Sequence, residues 1–392
     1  MEKVAKNIAW IIATILLSIV FLSNIFFISK LNIYEIISIN YHSTASMLVC
    51  MIVIIAITFL SKKIEKKHDK KAKKIFLIVL LAVYLIFQIL WINTRQATPC
   101  YDQSYIYEVA KQFSQGDYNC GNKDYYEVYP HQLGLVTFFT MIFKVFNTVD
   151  VTLIQYINAV ANTFTIYGII LISKIIEEKY KMNEVKTFLC ALMFSTLPLL
   201  STFIYGDIIA LSFCIFAVYF IMRYGNSRNI NYVLYSIICM AVACIVRKNS
   251  LIFSIAILIY IILCLLEEKI FNIKNVVQTI TIIIIFLLVI SVPEKLIEKY
   301  WQKKLNLDLS NKLPAEVYLS YGINESVRGP RMVWRCNLRK CWKIKKWSKD
   351  IWEKTCRKKI RNTFAKTNRF SWLLYKERKS NVDRKYICVF FI

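Results

Sequence analysis

The chain has 392 residues, 57% of them hydrophobic, with a formal charge of +26 and only 8 Gly and 6 Pro. An apolar content this high, with a mean hydropathy of +0.46, excludes a disordered or collagen-like chain and argues against an ordinary soluble domain. The charge on its own would suggest nucleic acid or an anionic surface, but it is uneven: residues 331–392 hold 20 of the 51 Lys+Arg and 4 of the 25 Asp+Glu, a net +16, leaving +10 for residues 1–330.

A helix needs about 20 apolar residues to cross a bilayer. Apolar runs recur at 8–28, 44–61, 75–92, 151–173, 187–204, 208–222, 231–247, 250–266 and 276–292, which predicts an all-α, polytopic membrane protein with nine spans. The first run follows Lys3 and Lys6 and lacks a small-residue cleavage site, so it reads as an uncleaved span rather than a signal peptide. The loop 62–74 carries Lys62, Lys63, Lys66, Lys67, Lys70, Lys71, Lys73 and Lys74. By the positive-inside bias it is cytoplasmic, which places the N-terminus inside and the segment after residue 92 outside. The basic loops 174–186, 223–229 and 267–275 fit the inside. A tenth run at 133–147 has only 15 residues and contains Lys144. Crossing there would put those later basic loops outside, so the run is expected to lie at the outer surface as an amphipathic, half-buried helix. Most of the +10 is then a topology signal and calls for no nucleic acid.

The expected organisation follows: a three-span segment with a cytoplasmic Lys-rich loop (1–92), an external loop with juxtamembrane helices (93–150), a six-span core (151–292), an external segment (293–330) and a basic tail (331–392). Chemistry is to be sought on the outer face. The loop 93–132 holds Asp102, Glu108, Asp117, Asp124 and Glu127 among Tyr101, Tyr105, Tyr107, Tyr118, Tyr125, Tyr126 and Tyr129. Tyr rings pack on sugar C–H surfaces and carboxylates bind hydroxyls; the plainer alternative is an interfacial aromatic belt. Asp102, just after the third span, is suited to act as a general base for a hydroxyl. Asp207, in the turn Tyr205-Gly206-Asp207 between two spans, is a carboxylate near lipid and therefore a functional candidate. Arg247 and Lys248 break two apolar runs on the outer side, against the charge bias. They are either snorkelling anchors or a clamp for a lipid phosphate, Arg as a planar fork and Lys as a point charge. Gln155, Asn158 and Asn162 share one face of their helix, as expected of interhelical packing.

In that order and placement the chain resembles the GT-C-type polytopic glycosyltransferases, in particular the bacterial family-39 protein-mannosyltransferase and aminoarabinose-transferase relatives, from about residue 75 to 330. The resemblance rests on Tyr101-Asp102, Tyr107-Glu108 and Gly116-Asp117, on Tyr129, Pro130, His131 and Gly134 leading into the juxtamembrane helix, on Tyr205-Gly206-Asp207, and on Arg247 and Lys248. It implies a polyprenyl-phosphate sugar as donor and transfer on the outer face to a cell-envelope glycan, lipid or protein. Asp102 would match the catalytic carboxylate. Tyr101, Glu108, Tyr129, His131 and Asp207 would bind substrate, and Arg247 and Lys248 would hold the departing lipid phosphate. No nucleotide is implied and often no metal; a divalent ion has no support in the residues. The chain departs from the pattern in having three spans before the external loop, where members usually have one, and in having no apolar run after 292. The rivals are a transporter or flippase of lipid-linked glycans and a non-catalytic membrane subunit. Absence of an internal repeat and charges gathered at the outer edge favour the enzyme.

The tail contains no Gly, 5 of the 8 Trp, 8 of the 13 Arg and 4 of the 12 Cys, unlike the Ile/Lys/Asn-rich sequence before it. Arg331-Met-Val-Trp-Arg-Cys336 can be coded AGA ATG GTA TGG AGG TGC, which one nucleotide later reads Glu-Trp-Tyr-Gly-Gly. An out-of-frame translation is therefore expected, the alternative being a native basic tail for anionic lipid. Cys100 and Cys120 share the external loop and could pair. No zinc-type spacing and no phosphate-binding loop occurs.

Overall fold

The computed structural model describes residues 70–180, 184–192, 196–266 and 273–313, the strand residues 27–31 and 37–41, and scattered helical positions between residues 11 and 64. The tail 331–392, residues 314–330 of the expected external segment, and most of the expected spans 8–28 and 44–61 lie outside the described residues. Contacts divide the chain into two units, Met1–Lys6 with Val49–Leu309 and Asn7–Leu48 with Ser310–Ile392. In the second unit, β1 (Phe27–Leu31) pairs antiparallel with β2 (Ile37–Tyr41), Phe27 opposite Tyr41 and Leu31 opposite Ile37. Ile, Phe and Tyr favour extended backbone, and the first expected run thus reaches a strand at its last two residues.

The first unit is helical: α1 (Lys70–Arg95), α2 (Asp102–Ser114), α3 (Lys123–Val128), α4 (Leu133–Phe146), α5 (Val151–Tyr180), α6 (Glu184–Leu192), α7 (Thr196–Leu199), α8 (Asp207–Ser227), α9 (Ile230–Val246), α10 (Leu251–Leu266) and α11 (Ile273–Leu305). Single 3-10 turns at Pro130–Gln132, Leu200–Thr202 and Lys248–Ser250 join some of them. Among the described residues four stretches are long and apolar enough to cross a membrane: Lys71–Arg95, Val151–Ile176, Asp207–Ser227 and Val276–Leu305. The α6–α7 pair, bent by 53°, is a fifth if it crosses as one. Helices α9 and α10 are strongly apolar but have 17 and 16 residues, short of the usual requirement.

Helix α8 packs most extensively on α9 and α5, turning Ala210, Cys214, Ala217 and Ile221 inward. Helices α1 and α11 are peripheral. Ile75, Ile78, Val83 and Leu90 of α1, and Val277, Ile280, Ile284 and Leu288 of α11, are each more than half exposed. Apolar stripes of that size are stable against hydrocarbon or another protein rather than water.

Helices α2, α3 and α4 form a cap at one end of the bundle. Ile106, Ala110, Phe113, Tyr126, Leu133, Val136 and Phe139 are fully buried in its core. Helix α4 is the short helix expected at 133–147: seven of its 14 residues are buried, where its apolar face meets α2, α9 and α11, while Met141, Lys144, Val145 and Phe146 are exposed. Helix α11 continues through Pro293 to Leu305. Beyond the apolar run, Ile297, Trp301 and Leu305 recur at one-turn intervals, and this amphipathic stripe packs on the cap. Trp301 stacks on Phe113 at 4.3 Å and donates its Nε1–H to Thr137 Oγ1 at 2.8 Å.

Candidate functional site

Two glycines let the polar residues at this end approach one another. Gly134 in α4 lies so close to the Ile245 carbonyl of α9 that any Cβ would collide with it. Gly206 has φ +82°, the left-handed region open to glycine, and a Cβ there would come within 2.9 Å of both Leu135 and Val246. The first contact seats the cap on α9 beside Arg247. The second turns the chain into α8 with Tyr205 facing the cap.

Tyr205 is the centre of the arrangement. Its hydroxyl donates to Asp102 Oδ2 at 3.0 Å and accepts from Gln132 Nε2 at 2.7 Å. The Arg247 guanidinium lies over its ring, 4.2 Å from the centroid, while Arg247 Nε donates to Asp207 Oδ1 at 2.8 Å. The neighbouring Gln103 Oε1 accepts from the Ile204 backbone N–H at 2.9 Å. Asp102 and Gln103, consecutive on α2, thus both grip the 204–205 loop. The buried Tyr125 hydroxyl lies near Tyr205 and Asp102 without a well-formed hydrogen bond of its own. Burial, and secondarily the Asp102 charge, pushes the Tyr205 hydroxyl above its ordinary range. Burial does the same to Tyr125 and Tyr126. The Tyr205 hydroxyl therefore stays protonated and able to donate throughout the neutral range.

The loop that carries Tyr205 is held from the bundle side by the expected polar face of α5. Gln155 Nε2 donates to the carbonyls of Ala97 (2.8 Å) and Thr202 (3.4 Å). Asn158 Nδ2 donates to those of Ser201 and Phe203, and Asn162 Nδ2 to Leu197 O and Gln88 Oε1. Leu197, Ser201, Thr202 and Phe203 lie in α7 and the turn that follows it, where the helix ends and its carbonyls need partners from outside. Beside them an open crevice of about 300 Å³ is lined by Asn93, Gln96, Thr98, Thr152 and Gln155 with Ile92, Ala97 and Val151.

Of the residues singled out from sequence, Asp102, Asp207 and Arg247 are brought together through Tyr205. Asp102 sits in the first turn of α2, where the helix dipole favours a carboxylate. The preceding Tyr101 is 67% exposed with φ +51°, a strained backbone of the kind found at functional positions. Tyr129 reaches the cluster through Tyr125, 5.2 Å away between ring centroids, and His131 lies edge-on to it at 6.2 Å. Lys248 pairs with Glu294 at 2.7 Å. Glu108 is exposed and lies six residues beyond Asp102, roughly 240° round the helix, away from the cluster.

Three sequence expectations change in detail. The tyrosines are not chiefly an open sugar platform or an interfacial belt: Tyr105, Tyr125, Tyr126 and Tyr129 stack on one another, at 5.1–5.2 Å from Tyr125, inside or against the cap core, because adjacent short helices project them inward. Cys100 and Cys120 are both free thiols, one exposed and the other buried. Both expected phosphate-binding cations already hold carboxylates. Among the described residues no group of three or more His, Cys, Asp or Glu is arranged to hold a metal ion. Gln103, Gln132 and Glu294 were not marked by sequence, and Tyr205 was noted only as part of a turn. Neutral polar residues and a lone glutamate after an internal proline carry no local signature. No protein-family model matches the chain, and no curated protein or solved structure matches it.

Proposed function

We propose that this is a membrane glycosyltransferase of GT-C type, moving a sugar from a polyprenyl-phosphate donor to a cell-envelope glycan, lipid or protein hydroxyl on the outer face. In this reading α9, α10 and the bent α6–α7 pair cross the membrane with the four long helices and the runs 8–28 and 44–61, giving nine spans with the N-terminus inside and the cap outside. The observation that carries the reading is the Asp102–Tyr205–Arg247–Asp207 cluster. A carboxylate suited to deprotonate an acceptor and a cation suited to hold a leaving phosphate are joined across more than a hundred residues of chain.

Asp102 takes the acceptor's hydroxyl proton as its oxygen bonds to the anomeric carbon. The bond from that carbon to the phosphate oxygen breaks, and the charge left on the lipid phosphate is met by Arg247 and Lys248. To do so, both cations exchange a carboxylate, Asp207 or Glu294, for phosphate oxygens. Tyr101, Tyr129 and His131 border the path of the sugar, with Glu108 a more distant contact. The neutral amides and hydroxyls of the crevice near Gln155 suit a hydroxyl-rich acceptor.

The test is sugar transfer in vesicles containing the purified protein and a polyprenyl-phosphate hexose. Asp102→Asn is expected to lower turnover by roughly 10²–10⁴-fold while lipid-phosphate sugar still binds; unchanged transfer would sink the assignment. A transporter or flippase of lipid-linked glycans is favoured by one feature, the bent α6–α7 pair pinned by buried amides. That reading predicts labelled lipid moving between leaflets without any change of its sugar.

A further inference from the structure

We infer that Tyr205 is a positioning residue with two separable halves, its hydroxyl serving Asp102 and its ring serving Arg247. The inference rests on the glycosyltransferase reading for what the two ends do, and on geometry for the coupling itself. Tyr205 touches both groups. Its hydroxyl stands between Gln132, which donates to it, and Asp102, which accepts from it. A hydroxyl that accepts one hydrogen bond donates a stronger second one, so Gln132 reinforces the hold on Asp102. That hold leaves Asp102 Oδ1 as the oxygen offered to an acceptor proton.

The ring acts on the other side. A guanidinium 4.2 Å from the Tyr205 centroid is attracted by the negative face of the ring, and this attraction persists without the hydroxyl, to which Arg247 also lies close. Asp207 holds Arg247 through Nε at 2.8 Å. When phosphate displaces Asp207, the ring remains as a platform that keeps the guanidinium in place. Because the ring is rigid, movement of Arg247 toward phosphate and the setting of Asp102 are communicated through one side chain. Gly206 directly after it, and Gln103 on the Ile204 backbone before it, fix the backbone on both sides of that side chain.

Two substitutions separate the halves. Tyr205→Phe keeps the ring and removes the hydroxyl; it is expected to lower kcat roughly 10–100-fold, the loss of a hydrogen bond to a charged group, with donor KM and affinity for farnesyl phosphate within about twofold of wild type. Tyr205→Leu removes both and is expected also to weaken farnesyl phosphate binding, by roughly 3–10-fold. Equal binding losses in the two variants, or unchanged kcat in Tyr205→Phe, overturn the inference. A readout without turnover is a thermal-unfolding cycle of Asp102→Asn and Tyr205→Phe in detergent, which also verifies that each variant folds. The two shifts should be non-additive; additive shifts overturn the hydroxyl half. If wild type transfers no sugar while the cycle and the binding split behave as stated, the glycosyltransferase reading fails and the coupling stands.

Discussion

The cap of α2–α4 and the bundle of long helices bury their residues in opposite ways. The cap closes its own core: seven large or medium side chains reach complete burial within fewer than fifty residues, while Glu108, Asp124 and Lys123 face out. That is the pattern of a domain stabilised by exclusion of water. In the bundle only 22% of the apolar windows of α1 and α11 is buried, and 44% of that of α8. Beside the small apolar face of α8, the bundle buries polar groups: Gln88, Asn158 and Asn162 are at most 1% exposed and are spent on interhelical hydrogen bonds. A helix that can leave its Ile and Leu against hydrocarbon gains little by packing them, so amides supply its specificity. The candidate site lies on the seam. Asp102, Gln103 and Gln132 come from the cap, and Tyr205, Asp207 and Arg247 from the bundle.

The contrast can be broken most severely at Trp301. Trp301→Ala removes a fully packed ring and its hydrogen bond to Thr137, at a cost of about 3–5 kcal/mol to the cap. Hydrogen exchange should accelerate across α2 and α4 with the long helices unchanged; equal loss in both would make them one cooperative unit. Asn162→Leu attacks the bundle instead. It strands the Leu197 carbonyl and Gln88 Oε1, at about 1–3 kcal/mol, and proteolysis should then reach the α6–α7 break sooner while cap exchange stays as it was.

Alkali should separate the two regions without mutation. Tyr125, Tyr126 and Tyr205 have hydroxyls raised by burial above the ordinary 10.0, so the folded cap and the Tyr205 turn that it grips hold protons that the unfolded chain gives up. Their contribution is fully present below pH 10 and is lost as pH rises above it. Tyrosinate absorbance should therefore show these groups titrating late and together with loss of the cap. Lys248→Gln should have the smallest effect. Its pair with Glu294 is partly exposed, 42% on the lysine side, and contributes roughly 0–1 kcal/mol. A thermal midpoint within a degree or two is expected, with lipid-phosphate affinity as the quantity that falls.

Much of the scaffold was legible because hydrophobicity is local. The runs beginning near 75, 151, 208 and 276 correspond to α1, α5, α8 and α11, and the one-face spacing of Gln155, Asn158 and Asn162 foretold an interhelical strip. The continuation of α11 to Leu305 was not legible, since after Pro293 the signal changes from a continuous apolar run to one residue per turn, which gains meaning only when a cap is there to receive it. The inward stacking of the tyrosines was hidden for a similar reason. Periodicity in α3 is too short to show a face, and a tyrosine reads as well for a surface as for a core.

Composition and spacing by themselves determined that this chain is built from long apolar helices, and that Asp102, Asp207, Arg247 and Lys248 are polar exceptions at their ends. These are statements about transfer free energy along a single helix or loop, and they need no partner. Only the tertiary structure decided that Asp102 and Arg247 share one tyrosine, that both cations are already paired with carboxylates, and that Gln132 and Gln103 belong to the same site. Hydrogen bonds and ion pairs act over about 3 Å, so they depend on two glycine contacts, Gly134 on Ile245 and Gly206 on Val246, that join segments far apart in the chain.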